Sequence, residues 1–480
     1  MRRKLHNSIQ LILALATVSA IARAGDGELD AGFAGTGHRL VDVSSGPTDR
    51  GQVLRIQPDG KLLMAGTCSK LETSNGHTDP FPKFCATRLR ADGSYDTGFG
   101  PGGVGYIRFD RFEAEGFPHN SRLSTVLRLE DGRLLFVGKG TEYGKILIAA
   151  LKPDGSALDP EMADGAGFYE FQIGGVPSSV NVLLEQADGK ILLIGQAIGP
   201  NGNDDMAVMR LLPDLSIDMT FGNGGYRTVS FDLGGPPGDN SDVALSAALQ
   251  IDGSIVLAGG ALTTSNTAAE IAIARLLPDG QLDPSFGPTH DGRVHAGYDM
   301  VSLAEAVRVD AQGRIVYAGV AQSSTISRGV INRLLADGSQ DPTFNAYSIG
   351  GHPQLFFASP IGGFSFGCLL YDLVVSADGS VFAAGTAIRN TSATTTYFMA
   401  VKLTAAGTFA PGNEFGVSGM TYNTFAASAA SSSLDNGTSI AIGNGGLMIG
   451  GDSTNAAGDD VRFGVARLVL DRLFVNSFEN

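Results

Sequence analysis

Tryptophan is absent from all 480 residues, and cysteine occurs only three times. Charged residues make up 17% of the chain, and the basic ones are scarcer, 34 against 49 acidic. Three cysteines exclude a miniprotein built on a disulfide framework. A formal charge of −15 excludes sequence-independent nucleic-acid binding, which depends on Lys and Arg neutralising phosphate. The missing Trp removes the strongest aromatic platform for a sugar or quinone ring. After the first two dozen residues no apolar run reaches the ~20 needed to span a bilayer. A hydrophobic content of 43% still excludes a disordered polyelectrolyte.

Glycine is what the chain has in excess, 66 residues, about twice the usual ~7% share. It marks a repeat, not a collagen period. A tight turn between apolar runs recurs as Pro58-Asp59-Gly60-Lys61, Glu130-Asp131-Gly132-Arg133, Ala187-Asp188-Gly189-Lys190 and Ile251-Asp252-Gly253-Ser254. Ala311-Gln312-Gly313-Arg314, Ala377-Asp378-Gly379-Ser380 and a degraded Gly443-Asn444-Gly445-Gly446 follow. From 59 to 444 there are six steps, so the mean spacing is 385/6, about 64 residues. Asp-Gly between apolar runs is a hairpin signal, because Gly takes positive φ without a Cβ clash. A second motif alternates with the first, most clearly Arg275-Leu276-Leu277-Pro278-Asp279-Gly280-Gln281-Leu282-Asp283-Pro284-Ser285-Phe286-Gly287. Weaker forms lie at Tyr95–Gly100, Ile217–Gly222 and Gln340–Asn345. The copy at Leu158-Asp159-Pro160-Glu161-Met162 departs most.

These units resemble the delta-60 repeat of exported bacterial proteins, and more distantly the NHL type of propeller repeat. The resemblance covers nearly all of residues 29–470. Each unit holds four turn-bounded apolar runs of strand length, with no sustained 3.6-residue period. A lone four-stranded sheet of ~64 residues cannot bury both faces, whereas radial stacking gives each face a neighbour. The expected fold is therefore all-β, a single seven-bladed β-propeller of four-stranded antiparallel blades over residues 25–471. Small residues such as Ala258-Gly259-Gly260 and Ala384-Gly385-Thr386 suit crowded backbones near the axis. The strand His38–Val43 is expected to pair with 463–469, closing the ring and removing an exposed edge.

Arg2-Arg3-Lys4, the apolar stretch 9–22 and Ala22-Arg23-Ala24 read as a secretory signal peptide over residues 1–24. No Cys follows it for a lipid anchor, so a secreted or periplasmic chain is expected. Residues 472–480 form a tail resembling a Phe-x-x-Gly-Phe-Glu ending, with Ser477 in place of Gly.

Candidate chemistry is sparse. Cys68 and Cys85, separated by sixteen residues, invite a disulfide in an exported chain, two reduced thiols being the alternative. Cys368 reads as a buried inert thiol. Gly363-Phe364-Ser365-Phe366-Gly367 matches the G-x-S-x-G pattern but precedes a strand-like run, not the helix that a nucleophile elbow requires. The histidines at 38, 77, 119, 290, 295 and 352 show no zinc spacing. Asn203-Asp204-Asp205 and Asp459-Asp460 lack the calcium-loop pattern, so loose Ca²⁺ binding is the one cofactor left open. Arg88, Arg210, Arg275, Arg333, Lys402 and Arg467 recur in one register, where one unit has Ala150 instead. They form either a ring of cations around a channel or, the favoured reading, a structural staple to Asp30, Asp96, Asp218, Asp283 and Asp341.

With no catalytic constellation, the expectation is a monomeric, non-enzymatic scaffold for an unknown protein or cell-surface partner. The unequal connections 69–84, 111–123 and 349–367 would build its surface. A propeller hydrolase and a glycan-binding propeller are the alternatives.

Overall fold

The computed structural model describes residues 25–470, except 45, 75–76, 110–111, 113–119, 141–143, 163–164, 177, 235–239, 264–267, 299–300, 324–326, 345–347, 350–351, 354–365, 391–393, 426–433, 444 and 456. The signal segment, Ser365, His119 and the tail therefore lie outside the described residues, and so does most of 349–367.

The chain is all-β, built of antiparallel sheets of the kind that form propeller blades. Sheet 1 comprises Asp49–Ile56, Leu62–Ser74, His77–Leu89 and Tyr106–Arg108. Sheet 2 comprises Arg122–Arg128, Leu134–Lys139, Ile146–Leu151 and Phe168–Phe171. Sheet 3 runs through Ser178–Glu185, Ile191–Ile198, Asp204–Leu211 and Tyr226–Val229. Sheet 4 follows with Asp242–Leu249, Ile255–Leu262, Ala269–Leu276 and Arg293–Ala296. Sheet 5 has three described strands, not four: Val301–Val309, Ile315–Gln322 and Ser327–Leu334. Two more four-stranded sets follow, joined by a single parallel bridge from Thr396 to Leu434. Set 6 is Phe366–Val375, Val381–Asn390, Thr394–Leu403 and Met420–Asn423. Set 7 is Leu434–Gly443, Gly446–Thr454 and Val461–Val469, completed by His38–Val41 from the start of the chain. That last pairing runs from His38 opposite Ala466 to Val41 opposite Phe463.

The hairpins explain the glycine excess. Gly60, Gly132, Gly189, Gly253, Gly313, Gly379 and Gly445 all have φ between 77° and 96°, a region that a Cβ penalises. In most of these turns the Asp carboxylate accepts the backbone N–H two residues on, as from Lys61 to Asp59 at 3.1 Å.

The hydrophobic core sits between consecutive sheets. Phe84, Phe109 and Phe136 pack between sheets 1 and 2, and five similar clusters separate the following pairs. Another cluster, with Phe33, Leu54, Met64, Met448 and Phe463, packs set 7 against sheet 1. The first strand of each sheet packs on the first strand of the next, and Leu434–Gly443 packs on Asp49–Ile56.

Candidate functional site

Every first strand carries a β-bulge at the same register. The extra residues are Gln52, Ser124, Asn181, Leu245, Glu305, Tyr371 and Thr438. Opposite the residue before each bulge stands a glycine of the second strand: Gly66, Gly138, Gly195, Gly259, Gly319, Gly385 or Gly451. A Cβ on any of them would come within 1.7–2.1 Å of a first-strand carbonyl oxygen. The bulge thus brings two backbones together where only Gly fits, and it re-aims one side chain per sheet. All seven of these residues are exposed or half-buried, between neighbours most of which are buried. They are two amides, two hydroxyls, one Leu, one Tyr and one Glu.

Sequence reasoning missed these positions because the bulged residues share no chemistry. Their signal was the glycine six positions after each turn glycine, from Gly60 and Gly66 to Gly445 and Gly451. Two such positions, Gly259 and Gly385, already marked crowding near an axis.

The electrostatics single out Glu305 and Tyr371 among these residues. Burial pushes the Glu305 carboxyl up to about 7. Burial, then the charges of Glu305 and Asp452, push the Tyr371 hydroxyl up to about 12. Asp452, on the second strand of set 7, is raised by burial to about 6, opposed by a hydrogen bond from Asn436. Further along the first strands, Arg308 pairs with Asp372 at 2.6 Å. The other Asp372 oxygen accepts the Ile440 N–H at 3.0 Å and the Ser439 hydroxyl at 3.3 Å.

The recurring basic residues are placed away from the bulges, at the far end of the third strands. Arg88 pairs with Asp96 at 2.7 Å, Arg210 with Asp218 at 2.9 Å, Arg275 with Asp283 at 2.7 Å and Arg333 with Asp341 at 2.7 Å. Arg467 pairs with Asp30, across the two ends of the chain, at 2.9 Å. Each guanidinium also lies over a Phe ring, the following Phe in four copies and Phe33 for Arg467, for example Arg333 at 4.4 Å from the Phe344 centroid. Each donates a further bond to a turn carbonyl of the next sheet, as Arg88 to Pro153 and Arg333 to Ala405, both at 2.8 Å. Lys402 departs from the pattern. Ala410 and Pro411 follow where other copies have Asp, and its Nζ lies 5.7 Å from the Phe382 ring. Where Ala150 replaces the basic residue, Arg133 lies 3.7 Å from Asp159, and buried Met162 takes the place of Phe.

Cys68 and Cys85 are joined by a disulfide at the base of a hairpin arm, where the spacing alone had indicated a loop. Cys368 is buried, accepts the Gly329 N–H at 3.1 Å and has its thiol pushed up to about 12 by burial. His295 Nδ1 lies 2.6 Å from Glu270, while His290 occupies a turn at φ 56°. Among the described residues no group of three or more His, Cys, Asp or Glu is arranged to hold a metal, and no helix is long and apolar enough to cross a membrane.

Segments 186–221, 250–286 and 312–344 match a family model described as a beta-propeller domain of unknown function, DUF5122, which supports a β-propeller repeat family. No curated protein matches the chain in sequence. Solved structures similar to it include an ulvan lyase of type PL25 bound to -[GlcA(1-4)Rha3S]-, at 12% identity and TM-score 0.46, over 92% of this chain and 94% of that one. The polysaccharide lyase Uly1 is similar at 10% identity and TM-score 0.47, over 89% and 91%. A protein of unknown function from Dyadobacter fermentans is similar at 11% identity and TM-score 0.38, over 90% and 99%. The expectation of a non-enzymatic scaffold is corrected here, because enzymes acting on polysaccharides stand among these neighbours. It rested on the absence of a local catalytic motif, and a site assembled from one residue per repeat leaves no such motif.

Proposed function

We propose that the chain is a carbohydrate-active propeller that holds a glycan at its axis, with Glu305 as the acid–base group. The observation that supports this reading is the set of bulged side chains, one per first strand at one register. Gln52, Ser124, Asn181 and Thr438 offer neutral donors and acceptors suited to sugar hydroxyls. Tyr371 supplies an aromatic face in a chain without Trp. A carboxyl raised to about 7 both donates and accepts a proton near neutral pH, as general acid–base catalysis requires. Asp452, raised to about 6, is a second carboxyl acting on the same Tyr371.

The finer architecture belongs to the same proposal. Residues 25–471 form one seven-bladed ring of delta-60 repeats, closed by the N-terminal strand. Residues 1–24 direct export to the periplasm or beyond, and 472–480 form a tail. The chain acts as a monomer.

The test is cleavage and binding across a panel of neutral and acidic polysaccharides. Reducing ends and the ultraviolet absorbance of unsaturated products separate hydrolysis from elimination. Glu305→Gln should retain binding and lose at least about 100-fold in turnover. A wild-type chain that neither binds nor cleaves any of the panel would sink the proposal. Turnover unchanged in Glu305→Gln would remove the acid–base role.

A further inference from the structure

A second constellation lies away from the axis, where sheets 3 and 4 meet. Two register positions come together at each junction between sheets. One is on the third strand, two residues before the partner of the close-approach glycine. The other is on the next first strand, three residues before its bulge. Where the second position is Asp49 or Asp435, the first is Arg462 or Tyr397. Where the first is Glu270, the second is Ser302. Only between sheets 3 and 4 are both acidic, Asp205 and Asp242.

Both carboxylates are 1% exposed. Asp242 Oδ2 accepts the Phe231 N–H at 2.7 Å, but its Oδ1 is buried with no hydrogen-bond partner. Asp205 Oδ1, Asn203 Oδ1 and Ser230 Oγ are likewise buried without one. Burial, then Asp232 and Asp204, push Asp205 up to about 6. Burial, then Asp205 and Asp232, push Asp242 up to about 7, against the Phe231 hydrogen bond. The one guanidinium acting on both, Arg293, is already 3.4 Å from Asp291. Asp232 and Ser230 also line a cavity of about 420 Å³ between the outer strands of the two sheets, next to Phe231, whose N–H bonds Asp242.

Buried charge is tolerated when it is paired, bound to a metal or neutralised by a proton. An excess of buried hard oxygens with unused lone pairs, beside a cavity that one of them lines, is suited to a hard cation. We infer that this junction binds a cation of the Ca²⁺ class through Asp205 and Asp242, with Asn203 Oδ1 and Ser230 Oγ as neutral oxygens. Two carboxylates and two neutral groups do not make a three-carboxylate cluster, and the loop pattern of a calcium motif is not needed. The site assembles from two repeats, 37 residues apart in sequence.

The test uses the full chain after chelator treatment, titrated calorimetrically with CaCl₂ at pH 7.5. One ion per chain should bind, and the thermal midpoint should rise with calcium. Asp205→Asn and Asp242→Asn should each weaken binding at least tenfold, and the exposed-turn control Asp92→Asn should not. If either variant fails to fold, the other variant and the wild-type titration still decide. Binding that persists in both variants places the ion elsewhere and overturns the inference. Neither heat nor a midpoint shift with millimolar Ca²⁺ also overturns it, leaving a proton shared between the two carboxyls.

Discussion

Arg333 shows how much one repeated residue carries. It is 1% exposed, bonds Asp341, lies over Phe344 and donates to the Ala405 carbonyl of the following set. The Arg and Asp are legible in sequence because they recur together eight residues apart. The carbonyl contact is not, because its partner is a backbone atom 72 residues away. Removing the guanidinium strands a buried carboxylate, so Arg333→Ala should cost about 3–5 kcal/mol in denaturant unfolding. Lys402→Ala, with no Asp at the matching turn, should cost less than half of that. Equal losses would mean that the ion pair is not what the register preserves. Asp218 is the electrostatic counterpart of this arrangement. Burial works upward on its carboxyl, but the Thr220 hydroxyl and N–H and the Arg210 guanidinium outweigh it and hold the group at about 2.

At the scale of the element, the hairpin and the bulge are two halves of one device. A turn glycine at positive φ reverses the chain, and six residues later a second glycine meets the bulge. The turn was readable from local chemistry, since Asp-Gly has few other uses between apolar runs. The bulge was readable only through its glycine, because the inserted residue is free to vary from Leu to Glu. That freedom makes it a place to build a site: the backbone is fixed while the side chain is not. Gly259 has an ordinary φ, so conformational freedom is not its purpose. A Cβ there would lie 1.9 Å from the Val243 oxygen. Gly259→Ala should therefore destabilise by about 1–3 kcal/mol, as overpacking does, and lower the thermal midpoint. A neutral substitution would show that the first strand shifts away freely and that the bulge is not held by this contact.

At the scale of the whole molecule, the last repeat is divided between the two ends of the chain. Val469 N donates to Glu28 O and Gly27 N to Val469 O, both at 2.9 Å. The intact copy makes the same bonds, from Leu277 to Gln281 and from Gly280 to Leu277. Leu29 bridges Leu468 as Leu282 bridges Leu276. Asp30 and Phe33 supply to Arg467 what Asp283 and Phe286 supply to Arg275. Deleting residues 25–45 removes the fourth strand of set 7, this ion pair and the buried Phe33. Because set 7 also packs on sheet 1, the loss should spread beyond one sheet and turn a cooperative melt into an early, broad one. Joining Leu470 directly to Asp26 recreates the spacing of Pro278-Asp279-Gly280-Gln281-Leu282-Asp283. A permuted chain running from 46 to 470 and then from 26 to 45 should therefore melt with the midpoint of the unpermuted protein. If the deletion melts normally, the N-terminal strand is dispensable. If the permutant fails while the deletion also fails, the ends are not two halves of one repeat.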